Sequence, residues 1–515
     1  MEMNEGIKRL EELKRKASLG GGQDKIERLH QEGYLTAEER ISLLIDPETF
    51  LEINTLAGPQ AAEFGSSPPY IPRDGVITGL GKVNGRTIAL YAHDRTVQGG
   101  SLGNVQAAKI VQLIRRALEL KIPVVALQDS VGARIQEGNK NVGFDSIFYA
   151  CTQASGVIPL ISAILGRCAG GIAYSSALMD VIIMIQGKSQ LFITGPEVIR
   201  ATTHEEVSFE DLGGAQVHSE KSGVCDLVVA DEAEVMQMIK NLLSFLPSNY
   251  QEFPVRVPTR DTREGETGKL SGIIPENPKK FFNMKDVLRC LLDDGHFFEM
   301  KPRFARNILT GFGRLDGWPV GIIANQPWHL AGALDVDASD KASRFIRFCD
   351  AFNIPLLTLV DVPGYLPGVD QENKGIIRHG AKMLFAYAEA TVPKITVILR
   401  KDYGGGKQAM CSKPMGADLV LAWPSADLAV MGAEGAVNVI CRKEIQESAD
   451  PEGTRKRLIA EYQNKFAGPF EAARKMYVDD VIKPEETRPK IIQALEIMQH
   501  KKASRIDKKH GNMPV

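Results

Sequence analysis

Two stretches of the sequence decide the fold. Residues 121–138 read KIPVVALQDSVGARIQEG, and residues 353–370 read NIPLLTLVDVPGYLPGVD. Each stretch is an apolar run that opens on Ile-Pro and reaches an aspartate, Asp129 or Asp361, with a glycine three residues beyond it. The two stretches lie 232 positions apart.

The same offset relates other features of the chain. It carries Asn84-Gly85 onto Asp316-Gly317, and with two further residues it carries Gly170-Gly171 onto Gly404-Gly405. A few inserted residues account for the drift. Self-similarity at a fixed long spacing predicts a duplicated domain.

Within each half, uniformly apolar strands such as PVVALQD and PLLTLVD alternate with helical periodicity. Strands that are apolar on both faces belong to sheets covered on both sides, so the pattern predicts an α/β fold with mainly parallel pairing. A proline-rich and charged segment, residues 246–279, is the predicted linker. The expected domains are therefore residues 1–258 and 264–515.

Composition narrows the class of protein. The chain is 43% hydrophobic and 24% charged, with a formal net charge of -2, which gives no bulk attraction to nucleic acid. Seven cysteines without a CxxC pair argue against a zinc site and favour reduced thiols in the cytoplasm. The apolar runs are too short to span a membrane. We expect a cytoplasmic protein with no metal.

Two glycine clusters close equivalent strands, at residues 167–171 (RCAGG) and 402–406 (DYGGG). Glycine lets main-chain N–H groups approach a ligand closely, and a helix that starts there directs these groups and its dipole at one point. Such a turn can hold an oxyanion. A tight turn without a ligand is the alternative interpretation of each cluster.

Longer motifs resemble one family. TGPEVIRATTHEEVSFEDLGGAQVHSEKSG (194–223), GIIRHGAKMLFAYAEATVPKITVILRK (375–401) and AWPSADLAVMGAEGA (422–436) are similar to the carboxyltransferase subunits of biotin-dependent acyl-CoA carboxylases. Related subunits occur in methylmalonyl-CoA decarboxylase and transcarboxylase. The resemblance covers nearly the whole chain and implies tandem crotonase-like domains.

The resemblance also implies a mechanism. The amides of Gly170 and Gly171 would hold the thioester oxygen of acyl-CoA, and those of Gly405 and Gly406 the ureido oxygen of biotin. Biotin would arrive on a separate carrier protein, and no side-chain base would be required. The substrate-binding positions implied by the family are Arg167, Ala169, Lys407, Gln408 and Ala409.

The sequence departs from the family pattern at several of these positions. Val131 replaces a glycine, Arg167 a proline and Lys374 a glycine. The usual Tyr-Gly-Gly-Ala-Tyr-x-x-Met motif reads YGGGKQAM here, at residues 403–410, and includes Lys407 and Gln408. The residue aligned with Gln408 helps to set acyl-chain preference in the family. Three added cations suggest an acyl chain with a further negative or polar group, and solvent-facing or ion-paired side chains are the alternative.

Other functions remain open at this level. Gly99-Gly100-Ser101-Leu102-Gly103 fits a nucleophile elbow, so a crotonase-fold acyl-CoA hydrolase that uses Ser101 is one alternative, although the repeat places Ala333 at the same position. A CoA-binding scaffold is another. Within the favoured family, the partners would be a biotin carrier with either a biotin carboxylase or a membrane decarboxylase subunit, and the assembly a homohexamer. The sequence does not distinguish carboxylase from decarboxylase.

Overall fold

The computed structural model describes residues 2–59, 70–134, 137, 143–262, 264–277, 280–462, 468–503 and 506–515. The chain divides into two compact units, residues 1–252 and 253–515. The division falls earlier than the predicted boundary because residues 253–258 pack on the second unit: Phe253 contacts the His500 ring edge-on, and Val257 N–H donates to Gly317 O. Residues 263, 278 and 279 of the predicted linker lie outside the described residues.

The first unit contains one sheet of eight strands within the described residues. These strands are β1 (Leu51–Ile53), β2 (Val76–Val83), β3 (Arg86–His93), β4 (Val124–Ser130), β5 (Leu160–Ala169), β6 (Val181–Ile185), β7 (Gln190–Phe192) and β8 (Leu227–Val229). The helices are α1 (Met3–Leu19), α2 (Gln23–Gln31), α3 (Ala37–Leu44), α4 (Asn104–Leu120), α5 (Gly143–Ala154), α6 (Gly171–Ala177), α7 (Pro196–Thr203), α8 (Phe209–Gly213), α9 (Ala215–Glu220) and α10 (Glu232–Phe245).

The described part of the second unit also forms an eight-stranded sheet. Its strands are β9 (Phe298–Met300), β10 (Ile308–Leu315), β11 (Trp318–Asn325), β12 (Leu356–Val362), β13 (Lys394–Tyr403), β14 (Leu419–Ala422), β15 (Asp427–Ala429) and β16 (Asp480–Val481). The helices are α11 (Met284–Leu291), α12 (Val336–Ala351), α13 (Val369–Asn373), α14 (Ile376–Glu389), α15 (Gly404–Ala409), α16 (Ala433–Ile440), α17 (Arg442–Glu447), α18 (Pro451–Tyr462), α19 (Pro469–Arg474) and α20 (Thr487–Met498).

The two sheets share one topology. The first has the order β1-β2-β3-β4-β5-β6-β8 with β7 paired to the end of β5, and the second has β9-β10-β11-β12-β13-β14-β16 with β15 paired to the end of β13. The first three strands of each sheet are antiparallel and the rest are parallel. This architecture confirms the predicted duplication and the α/β class.

The two units also share hydrogen bonds between a carboxylate and an equivalent hairpin turn. The Asp46 carboxylate accepts from the N–H groups of Asn84 and Gly85 in the β2–β3 turn, at 3.0 and 2.8 Å. Asp293 does the same for the Asp316-Gly317 turn, at 2.9 and 2.7 Å. One carboxylate that bonds two turn amides fixes each hairpin in its register.

The strands β4 and β12 lie at the centre of the sheets, and every residue in them is buried. Each carries its aspartate into a buried ion pair. Asp129 meets Arg40 at 3.1 Å, and Asp361 meets Arg400 at 2.8 Å. Equivalent carboxylates are thus neutralised by arginines from different elements, Arg40 from α3 and Arg400 from β13.

The apolar faces of the two long helices α4 and α12 are buried. In α4 these are Ile110, Ile114 and Ala117, and in α12 Phe345 and Ile346 are among them. None of the described helices combines the length and the hydropathy that a membrane-spanning helix needs.

Candidate active site

The strand β5 runs directly into Gly170 and the helix α6. Gly170 has φ 63° and ψ −129°, a conformation that a residue with a Cβ adopts only under strain. Its N–H donates to Phe192 O on β7 at 3.1 Å. Of the two amides predicted here, that of Gly170 is therefore already engaged by the protein.

Gly171 is the first residue of α6, so its N–H has no acceptor inside that helix. A Cβ at Gly171 would lie 2.2 Å from Cδ1 of Phe144. The Phe144 ring, at the start of α5, therefore packs directly on the backbone of this glycine. Sequence reasoning missed Phe144, although an aromatic residue at the start of the next upstream helix is a usable signal.

The second unit repeats the arrangement with β13 and α15. Gly404 has φ 55°, close to the value at Gly170, and is the equivalent residue in the strand register. Gly405 is therefore the counterpart of Gly171, and Gly406 the counterpart of Ile172. The sequence-based pair in the first unit, Gly170 and Gly171, therefore lies one structurally equivalent position earlier than the pair in the second unit, Gly405 and Gly406.

Gly405 is exposed, and its surroundings leave the backbone open to a ligand. Among the described residues, a Cβ at Gly405 would meet only the Tyr365 ring, at 3.3 Å, whereas one at Gly406 would lie 2.8 Å from Val362 Cγ2. The Tyr365 hydroxyl donates to Gly380 O at 3.3 Å, and burial raises the pKa of Tyr365 to about 12. Tyr365 is thus a neutral wall beside the Gly405 amide.

The five predicted substrate-binding residues have different surroundings. Arg167 places its guanidinium carbon 3.7 Å from the centre of the Phe209 ring, and Ala169 pairs with Phe192 in the sheet. Lys407 and Gln408 line a cavity. Ala409 is fully buried and does not reach this cavity, because the last residue of the short helix α15 faces the core.

The cavity of the second unit has a volume of about 1030 Å³. The start of α15 forms one end of it, through Gly404, Gly405, Lys407 and Gln408. Much of the remaining wall is apolar or aromatic and includes Leu428, Val437, Ile440, Leu458, Tyr462 and Tyr477. A mostly apolar cavity with a few convergent polar groups is the usual form of a small-molecule site.

Two charged residues flank the glycines of α15. The Nζ of Lys407 lies 5.1 Å from the centre of the Tyr477 ring. Asp402, at the end of β13, is buried, and burial raises the pKa of its carboxyl to about 7, with Lys407 opposing the shift. The third added cation, Lys374, pairs with Asp370 at 2.9 Å on the surface.

Within the described residues, no hydrogen bond joins a base to the alternative nucleophile, Ser101. Ser101 is only 7% exposed, and no hydrogen bond joins its hydroxyl to a histidine within the described residues. The equivalent position in the second unit is Ala333, which follows the same turn. Nor do the described residues contain three His, Cys, Asp or Glu side chains grouped to hold a metal ion.

Comparisons with known proteins agree with this architecture. The sequence matches the carboxyl transferase domain family over residues 28–513. It is 50% identical, over the full length of both chains, to the carboxyltransferase subunit of propionyl-CoA carboxylase from Haloferax mediterranei. It is 48% identical to methylmalonyl-CoA decarboxylase subunit alpha of Propionigenium modestum, over 99% of each chain.

The structure superimposes on a crystal structure of transcarboxylase 12S with a TM-score of 0.97 and 47% identity, covering 100% of this chain and 99% of the other. That structure is a hexamer with methylmalonyl-CoA and methylmalonic acid bound. The sequence-based family assignment is confirmed: the chain belongs to the carboxyl transferase family and is an acyl-CoA carboxyltransferase.

Proposed function

We propose that this enzyme moves a carboxyl group between carboxybiotin, presented by a separate carrier protein, and the α-carbon of a short-chain acyl-CoA. The observation that carries the proposal is the repeated strand–glycine–helix junction, in which Gly171 and Gly405 stand at equivalent positions at the starts of two helices. A reaction with two oxygen-centred charges needs two sets of N–H donors, and the duplicated fold supplies one set in each unit.

In the first unit, Gly171 provides the N–H that binds the thioester oxygen as negative charge develops on it. The structural equivalence adds Ile172 as its neighbour and leaves Gly170 to hold the turn, since its own N–H is bound by Phe192. Each donor of this kind is typically worth about 3–4 kcal/mol of barrier.

In the second unit, Gly405 and Gly406 provide the donors for the ureido oxygen. The cavity next to Gly405 fits such a group, because the amide is exposed and the walls beyond it are apolar. Bound biotin supplies the carboxyl group and its ureido ring accepts the negative charge. Tyr365 limits the approach from one side and keeps its proton at neutral pH.

Assembly is part of the proposal. The hexamer of transcarboxylase 12S supports a homohexamer here, with each reaction centre completed by two subunits. The partners are a biotin carrier protein and either a biotin carboxylase or a membrane decarboxylase subunit. Relatives named for propionyl-CoA carboxylase and for methylmalonyl-CoA decarboxylase support both directions of the same half-reaction.

The test uses the assembled protein with methylmalonyl-CoA in the presence and absence of free biotin. We expect propionyl-CoA to form only when biotin is present. Liquid chromatography measures this product. Release of free CoA that is lost in Ser101→Ala would instead identify a hydrolase. Binding of CoA esters without any product would identify a scaffold.

A further inference from the structure

The three added cations, Arg167, Lys374 and Lys407, have different surroundings in the structure. Lys374 is 61% exposed and already paired with Asp370, and an exposed pair of this kind contributes little. Arg167 is stacked on Phe209. Lys407 lines the cavity of the second unit, and no carboxylate oxygen of the described residues lies within 4.0 Å of its ammonium group.

The other charged residues of this cavity are neutralised by partners. Glu471 pairs with Arg474 at 2.8 Å and with Lys475 at 3.0 Å. Glu461 pairs with Arg457 at 2.7 Å. Lys407 is therefore the charged group of the lining that lacks an ion pair within the described part of the chain.

An unpaired ammonium among apolar walls selects for a particular ligand chemistry. The positive charge of Lys407 is stabilised most by a carboxylate, through a charge-assisted hydrogen bond. The aromatic and aliphatic walls, among them Tyr477, Leu428 and Val437, accept an apolar body. The cavity thus fits a carboxylate carried on an apolar framework.

Asp402 lies at the end of β13, on the strand that leads into the helix α15 of Lys407. It is 2% exposed, and no hydrogen bond to its carboxyl group is formed by the described residues. Its register partners on the neighbouring strands are the uncharged Val362 and Leu428, and Lys407 on α15 is the charged group that acts on it. When Asp402 is protonated, the positive charge of Lys407 is fully available to a ligand, and when Asp402 is ionised it competes for that charge.

We propose that Lys407 binds a ligand carboxylate in this cavity and that Asp402 is the positioning residue that sets how much of its charge is available. The inference rests on the proposed function, which offers two sources of such a group. One is the carboxylate that is transferred on biotin. The other is a second carboxylate at the far end of the acyl chain.

The experiment compares Lys407→Met, Lys407→Arg and the control Lys374→Met in the assembled enzyme. Carboxylated carrier protein is the donor, and propionyl-CoA or glutaryl-CoA is the acceptor. Loss of a charge-assisted hydrogen bond predicts a fall in kcat/KM of about tenfold or more in Lys407→Met, with much of the activity retained in Lys407→Arg. A fall with both acceptors identifies the transferred carboxylate, and a fall with glutaryl-CoA alone identifies the acyl carboxylate.

The role of Asp402 is tested by a pH profile. Because burial raises the pKa of Asp402 to about 7, the KM for the carboxylated ligand should rise between pH 6 and pH 8 in the wild type. Asp402→Asn should flatten this rise, whereas a residue needed only for folding would leave the profile unchanged. As a readout independent of turnover, acetylation of Lys407 by acetic anhydride, measured by mass spectrometry, should slow when carboxylated carrier protein or glutaryl-CoA is added.

If Lys407→Met, like Lys374→Met, transfers the carboxyl group within twofold of the wild-type rate, this inference alone is overturned. The same holds if Asp402→Asn keeps the wild-type pH profile, or if neither carboxylated carrier protein nor glutaryl-CoA protects Lys407 from acetylation. A wild-type enzyme that transfers no carboxyl group to either acceptor overturns the proposed function instead.

Discussion

Gly171→Ala tests the donor assignment at the point where the structure leaves least room. The new Cβ would lie 2.2 Å from Cδ1 of Phe144, about 1.2 Å short of an ordinary contact of 3.4 Å. Either the ring or the start of α6 must move by a comparable distance. Because a misplacement of about 1 Å at a reacting centre costs on the order of a hundredfold in rate, we expect kcat to fall about 100-fold.

The assay is the biotin-dependent conversion of methylmalonyl-CoA, with binding of the CoA ester measured separately by calorimetry. Binding should change much less than kcat, because the nucleotide part of the ligand does not depend on this amide. The double variant Gly171→Ala/Phe144→Ala removes the obstructing ring and should recover at least about tenfold of the lost rate. A single variant within threefold of the wild type, or a double variant no faster than the single one, would contradict the assignment of Gly171.

Three further outcomes follow from other residues. Gly406→Ala meets Val362 Cγ2 at 2.8 Å, so it should lower kcat by less than about tenfold, which the same assay measures. Between pH 4 and pH 7 native Asp402 holds a proton that an unfolded chain has released, so its contribution to the free energy of unfolding falls by up to about 4 kcal/mol as pH rises. Asp402→Asn should therefore raise Tm at pH 8 and not at pH 4. Arg40→Met leaves Asp129 and Glu232 buried without their partner and should cost about 3–5 kcal/mol, which denaturant titration detects.

The duplicated fold could be predicted from the sequence because the repeat includes the central strands, which are buried on both faces. The apolar runs that form β4 and β12 are typical of central strands. The glycines that follow β5 and β13 predict where these two strands end. The availability of an individual amide could not be predicted in the same way. It depends at Gly170 on an acceptor in Phe192, which belongs to a short strand paired to the end of β5.

Side-chain surroundings were equally hidden from the sequence. Ala409 and Gln408 are neighbours, yet one is buried and the other lines the cavity, because α15 is too short for periodicity to define its faces. The pairing of Lys374 with Asp370 depends on the local turn of α13. The contact of Phe144 with Gly171 joins segments that only the tertiary structure brings together.

Each sheet takes all its strands from one contiguous half of the chain, and this order matters during synthesis. The last strand of the first sheet ends at Val229, before any residue of the second unit has been made. At about 5–20 residues per second, the ribosome needs roughly 13–50 s to add the 263 residues of the second unit. The two repeats are thus separated in time, and the nascent first sheet can complete its strand pairing before β12, the counterpart of β4, has been made.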